Sequence, residues 1–446
     1  MNIKNIFKGD KRTSLVKKNI AGSLLIKGWS CIIQFLIVPL SLNCLSSYEY
    51  GLWLTINAIL IGIDSIDVGL GNGLRNKLAE AIANNDRLTA RKQVSTTFGM
   101  LIITIIPLII ILSAIIQYID CYKLLNVNPN YVPNLPGILT ASVSIMGATF
   151  IFKFIGNMYL GLQLPAINNL LVVLGQTVSL IALFIISIFG KSDLMTVAII
   201  FTASPLIVYI AAYPITFCRK YKFLAPSYRF FSRSALKDLL SLGISFFFIQ
   251  ITGLMLFMLS NIIISNVLNP AEVTPYQVAY RYFSILYMLF AIIAAPLWSA
   301  TTDAYTQGDW PWINRMMKKL NRLLIICAII MLLMIFFAST FYRIWVGDKV
   351  HVETWLSVFI GIYCYLLVVS NSYSYILFGI GKIRVITIVT FINVIVFAPL
   401  EYIACRHFGT AGLISILIVA TSISAVINCI QFNMLSSNKA KGIWNK

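Results

Sequence analysis

Apolar residues come in long blocks along this chain, separated by short polar segments that hold most of the charge. A bilayer core of about 30 Å needs roughly 20 apolar residues of helix. Blocks of that kind fall at about 20–42, 48–65, 94–116, 137–160, 166–189, 194–217, 238–267, 276–299, 320–342, 355–378, 384–404 and 411–435. The pattern predicts an all-α membrane protein of twelve transmembrane helices, with both chain ends on one side. The longest markedly polar stretch between blocks is Ile63 to Lys92. It opens with Gly69, Gly71 and Gly73, which allow a helix to stop and restart. A short helix is then expected over Leu74 to Ala83, with Leu74, Leu78, Ala81 and Ile82 on one face, lying at a membrane surface.

Composition supports this reading. Across 446 residues, 59% are hydrophobic, 11% are charged and mean hydropathy is +0.87, which excludes an ordinary soluble globule. A formal charge of +19 could suggest nucleic acid, but the basic residues sit in short segments between apolar blocks, so no nucleic-acid partner is expected. Alternate segments hold twenty-six of them and the opposite loops only five, so the positive-inside rule puts both termini and Ile63 to Lys92 in the cytoplasm. The first apolar block lacks a small-residue cleavage site after it and reads as an uncleaved helix. Eight scattered cysteines without a CxxC pair, and two histidines, suggest neither a disulfide framework nor a metal site. There is no phosphate-binding GxxxxGK[ST] stretch, and no cofactor is expected.

Shifting the chain by half its length lays Glu80, Ala81 and Asp86 on Asp303, Ala304 and Asp309, with basic clusters following each. Leu160-Gly161-Leu162-Gln163 also resembles Phe378-Gly379-Ile380-Gly381. Two six-helix lobes are therefore expected, related by a pseudo-twofold axis along the membrane normal: residues 1–218, a basic cytoplasmic linker at 219–237, and residues 238–446. Such repeats mostly belong to transporters.

Ionisable groups inside spans cost roughly 2.5 to 3.5 kcal/mol each on insertion scales and are functional candidates by default. Lys27 shares a helix face with Ser23, Ser30 and Gln34, a polar stripe that implies a water-filled cavity or a helix contact. Snorkelling to the interface is the alternative for Lys27, for Arg281 (with Ser284 and Met288 on its face) and for Lys153. Trp53, Asn57 and Asp64 share a face of span 2. Asp64 could bind a coupling cation, or it is a solvated helix end beside Asp67. Arg75 and Lys77 read as a cytoplasmic surface or gate, and Glu401 reads as interfacial. Pro399 and four other span prolines would bend their helices.

Asp67-Val-Gly-Leu-Gly-Asn-Gly-Leu-Arg-Asn-Lys-Leu-Ala-Glu-Ala81, together with Tyr50-Gly-Leu-Trp53 and Gly379-Ile-Gly-Lys-Ile-Arg384, resembles the O-antigen and polysaccharide flippases of the multidrug/oligosaccharidyl-lipid/polysaccharide (MOP) exporter superfamily, which are MATE-like. The resemblance spans nearly the whole chain. It implies movement of an undecaprenyl-diphosphate-linked oligosaccharide from the inner to the outer leaflet of the bacterial inner membrane by alternating access, without enzymatic chemistry. It also implies contact with the lipid bilayer and with other polysaccharide-assembly membrane proteins, and it leaves proton or sodium coupling open. A diphosphate needs cations, and related lipid-linked precursor flippases place them on spans 1, 2 and 8. Lys27 and Arg281 match spans 1 and 8, whereas span 2 offers none. The rivals are a cation-coupled drug or toxin exporter, a peptidoglycan-precursor flippase with fourteen spans, and a membrane-embedded polysaccharide polymerase with a long catalytic external loop.

Overall fold

The computed structural model describes residues 11–64, 70–162, 164–190, 192–219, 221–232 and 259–445. Every regular element among the described residues is helical. The first half of the chain forms α1 (Lys11–Cys44), α2 (Ser47–Asp64), α3 (Leu70–Ala83), α4 (Arg87–Tyr118), α5 (Cys121–Leu125), α6 (Leu135–Phe152), α7 (Phe154–Gly161), α8 (Pro165–Ile188) and α9 (Leu194–Phe217). The second half has α10 (259–267), α11 (Pro270–Thr306), α12 (Trp310–Val346), α13 (Thr354–Ile380), α14 (Arg384–Ile392), a π-helical turn (Asn393–Phe397) and α15 (Ala398–Ser436).

Seven of these stretches are long and apolar enough to cross a membrane: Arg87–Tyr118, Leu135–Gly161, Pro165–Ile188, Leu194–Phe217, Trp310–Lys349, Thr354–Ile380 and Arg384–Ser436. The last has 53 residues, and Gly409 at φ +62° breaks it between the expected eleventh and twelfth spans. Most of the expected seventh span lies outside the described residues. Large apolar side chains remain open on the outer faces, such as Ile110 at 63% and Leu332 at 67% exposure. Water would penalise such faces, whereas hydrocarbon does not.

The chain divides into two compact units, Met1–Ser46 with Ile59–Ile251, and Ser47–Ala58 with Thr252–Lys446. In the first unit, α3 differs from expectation. It starts at Leu70 and takes in Gly71 and Gly73, and its apolar face meets protein instead of a membrane surface. Leu70, Leu74, Leu78 and Ala81 join one core with residues of α4, α7 and α9. Burying a leucine is worth about 1.5 to 3 kcal/mol, more than the roughly 1 kcal/mol that a helical glycine costs. After α9 the chain is strapped along α4. Arg91 Nε donates to the Ala225 carbonyl at 3.1 Å, and its guanidinium lies 4.2 Å from the centroid of the Phe230 ring. The Ser227 and Ser232 amides donate to Ser95 Oγ and Thr96 Oγ1. The first part of the expected linker is thus a docked segment, and 233–237 lies outside the described residues.

In the second unit the start of α2 lies against α11. A Cβ on Gly51 would stand 1.8 Å from the Pro270 carbonyl oxygen, so only glycine permits this approach. Thr274 Oγ1 donates to the Ser47 carbonyl at 2.6 Å, and Ser47 Oγ donates to the Lys349 carbonyl at 2.8 Å.

The two units repeat a turn hydrogen bond for hydrogen bond. Asp86 caps α4 by accepting from the Thr89 amide at 2.9 Å, and Asp309 caps α12 by accepting from the Trp312 amide at 2.9 Å. The amides of Asp86 and Asp309 donate to the carbonyls of Ala81 and Ala304, at 2.9 and 2.8 Å. The residue before each cap has a left-handed backbone, Asn85 at φ +56° and Gly308 at φ +72°. The glycine contacts repeat as well. Gly161 packs on Arg75 and Leu78, and Gly379 packs on Trp298 and Thr301; the contacted pairs are related by the same half-chain shift, and the two glycines by a shift five residues shorter.

Candidate functional site

The stripe on α1 is partly a helix contact. Ser30 Oγ donates to Gln176 Oε1 of α8 at 2.6 Å, and Trp29 Nε1 donates to Thr177 Oγ1 at 3.2 Å. Gln34 on the same helix is exposed. Lys27 belongs to α1 and Asp64 ends α2, and both side chains lie outside the described residues. Lys153 is half-buried where α6 gives way to α7. Its amide donates to the Thr149 carbonyl at 2.9 Å, and its own carbonyl accepts from the Gly156 amide at 2.9 Å. On α3, Arg75 is exposed, and Lys77 pairs with Glu80 at 2.9 Å. These residues belong to the first unit.

Arg281 and Asn57 belong to the second unit, and both are half-buried. The Arg281 carbonyl accepts from Ser284 Oγ at 3.0 Å. Glu401 is buried in protein: it is 1% exposed, and neither carboxylate oxygen has a hydrogen-bond partner among the described residues. It lies near the expected outer end of its span, and packing within the second unit buries it.

The same unit holds a half-open cavity of about 430 Å³, lined among the described residues by α11, α13, α14, the π turn and α15. Tyr280 and Tyr287 come from α11, and Tyr363, Ser370, Asn371 and Ser374 from α13. Thr390 and Asn393 contribute from the bent helix, and Thr421, Ser424 and Asn428 from α15. None of its described lining residues is charged. The rings of Tyr280 and Tyr363 stand 6.4 Å apart, and Tyr276 continues the file 6.4 Å from Tyr280.

The bend has a local cause. Pro399 lacks an amide hydrogen and its ring crowds the carbonyl four residues back, so the turn before it opens into a π turn. Asn393 begins that turn and is 6% exposed. Its Nδ2 donates to Ser424 Oγ at 2.9 Å. Asn428 Nδ2 donates to Ser374 Oγ at 3.0 Å and to Ser370 Oγ at 3.3 Å, and Asn371 Nδ2 donates to the Leu367 carbonyl at 2.9 Å. Hydrogen bonding and ring stacking are the chemistry this wall offers. A search for ionisable groups passes over these residues. The spacing of Thr421, Ser424 and Asn428, three and four residues apart in one span, is the signal that could have marked them.

Helices of this length and apolarity define a multi-pass membrane protein, and the arrangement is that of known transporters. An inward-facing multidrug resistance MATE family transporter of the MOP superfamily matches at TM-score 0.78 with 16% identity, covering 92% of this chain and 94% of that one. A MATE protein in complex with MaL6 matches at 0.63 with 16% identity, covering 97% and 98%. Residues 16–300 match the family of polysaccharide biosynthesis proteins, and the chain belongs to that family. It is 20% identical to a putative O-antigen transporter of Salmonella typhimurium, over 94% of this chain and 98% of that one. It is 21% identical to a putative O-antigen export protein of Yersinia pseudotuberculosis, over 91% and 92%.

Proposed function

We propose that the protein is a carrier, not an enzyme, that moves an undecaprenyl-diphosphate-linked oligosaccharide from the inner to the outer leaflet of the bacterial inner membrane by alternating access. Both termini are then cytoplasmic. The observation that carries this reading is that a chain with the fold of transporters belongs to a polysaccharide biosynthesis family over residues 16–300. The names of its O-antigen relatives agree with it. Lys27 on α1 and Arg281 on α11 would hold the diphosphate, with Gln34, Asn57 and Lys153 as further polar contacts. Moving two negative charges outward against an inside-negative potential of about 100 mV is downhill by roughly 4.6 kcal/mol. The potential can therefore drive the step alone, and Asp64 is the candidate for ion coupling if an ion takes part.

The test is complementation of a deletion strain with wild type, Lys27→Ala or Arg281→Ala at matched protein levels. Surface polysaccharide should fall in both variants while its lipid-linked precursor accumulates on the cytoplasmic side. Wild-type output from both variants would remove the diphosphate assignment. A deletion that alters drug tolerance and leaves surface polysaccharide intact would replace the reading with a drug exporter.

A further inference from the structure

We propose that the uncharged cavity of the second unit binds sugar residues of the transported glycan. This rests on the reading above and adds a second contact point, separate from any cation that holds the diphosphate.

The lining decides the class of ligand. A phosphate is held best by a cation and a cationic drug by a carboxylate, and no described lining residue supplies either. A purely apolar ligand would strand the polar side chains that face it. Sugars match the wall on both counts: their hydroxyls donate and accept, and the C–H faces of their rings lie flat on aromatic rings. The tyrosines supply the aromatic faces, and the asparagines supply amides with two kinds of hydrogen-bonding group.

The asparagines are also held in a useful orientation. The Nδ2 atoms of Asn371, Asn393 and Asn428 are engaged by the protein. Their Oδ1 atoms accept no hydrogen bond among the described residues, which leaves three acceptors for ligand hydroxyls. The π turn that carries Asn393 is a second observation. Such turns are rare and concentrate at functional sites, and this one lies in the cavity wall. The volume of about 430 Å³ falls within the range of roughly 300 to 1,000 Å³ typical of small-ligand sites. At about 30 Å³ per water it equals roughly fourteen waters, room for about one or two pyranose rings.

Binding would be measured on the purified full chain in nanodiscs. One probe is the lipid-linked oligosaccharide fraction extracted from the source strain, and the other is undecaprenyl diphosphate without sugar. Wild type should bind the glycosylated lipid more tightly. Asn371→Ala and Tyr363→Phe should each weaken that binding roughly three- to tenfold, one lost hydrogen bond apiece, and leave the bare lipid unaffected. Both are mild changes, and an unchanged thermal midpoint confirms the fold. Asn428→Ala removes a bridging side chain and serves only as a further check. If wild type binds both lipids equally, or if both variants bind the glycosylated lipid as wild type does, the glycan site is wrong and the carrier reading stands. If wild type binds neither lipid, both are wrong.

Discussion

The two glycine contacts invite a graded test. A Cβ on Gly379 would stand 2.5 Å from Thr301 Cβ and 2.7 Å from the Trp298 carbonyl oxygen. At Gly161 the nearest atoms are the Arg75 carbonyl oxygen at 3.0 Å and Leu78 Cβ at 3.1 Å. Ordinary contact begins near 3.4 Å, so Gly379→Ala must part α13 from α11 by about 0.9 Å, and Gly161→Ala must part α7 from α3 by about 0.4 Å. Overpacking of this kind costs about 1 to 3 kcal/mol, and alanine returns about 0.5 to 1 kcal/mol of helix preference. Gly379→Ala should therefore lose about 1 to 2 kcal/mol net, and Gly161→Ala should lie within about 1 kcal/mol of wild type. Gly28 on α1, with nothing within 4 Å of its ideal Cβ, supplies the control with the opposite sign. Thermal unfolding of the purified chain in detergent, followed by tryptophan fluorescence, should rank the midpoints as Gly28→Ala at or above wild type, then Gly161→Ala, then Gly379→Ala. A Gly379→Ala chain as stable as wild type, or less damaged than Gly161→Ala, would refute the reasoning.

Hydrogen bonds from the Thr89 side chain and amide hold the Asp86 carboxyl below its ordinary value. Its stabilising effect should then be complete above the ordinary aspartate value of about 3.9 and vanish as pH falls through the lower folded value. The difference in midpoint between wild type and Asp86→Ala should accordingly shrink on acidification, and Asp86→Asn should cap without pH dependence; a difference constant from pH 7 to pH 2 would count against it. Arg91→Ala removes a charge-assisted hydrogen bond and a stacked ring, roughly 1 to 3 kcal/mol, so limited proteolysis should cut 221–232 faster than in wild type, and equal cleavage rates would show that the strap does not depend on Arg91. Replacing Glu401 with leucine removes two oxygens that lack partners among the described residues, each costing about 1 to 3 kcal/mol when buried. The midpoint should rise, and a fall would mean that Glu401 has a partner beyond the described residues.

Much of the fold was legible because the bilayer filters sequence so strongly. Blocks of roughly twenty apolar residues correspond to α4, α8, α9 and α13, and the half-chain match of Asp86 with Asp309 led to a turn repeated bond for bond. What was not legible shares one physical origin, tertiary packing. The glycines near the start of α3 signalled a break, but Leu70 and Leu74 gain more from the core than those glycines lose. The contacts of the basic linker after α9 were not legible, because its partners, Arg91, Ser95 and Thr96, are more than a hundred residues away in sequence.

The candidate site was less legible, for an electrostatic reason. A lysine or arginine in a span costs enough to demand an explanation, so Lys27, Arg281 and Lys153 stood out at once. Asparagine, serine and threonine cost far less, because a helix can absorb them through bonds to its own backbone or to a neighbour. Asn371 donating to Leu367 and Ser424 donating to Ala420 do just that. Such residues become informative only once separate helices gather them. Ser370 and Ser374 on α13 meet Asn428 on α15, and Ser424 meets Asn393 on the π turn. Division of labour follows from the same physics. A charged headgroup requires the scarce cations that sequence reveals, and a neutral glycan requires many weak polar contacts that only the fold assembles. A carrier of lipid-linked sugar needs both, and sequence reading alone favours the first.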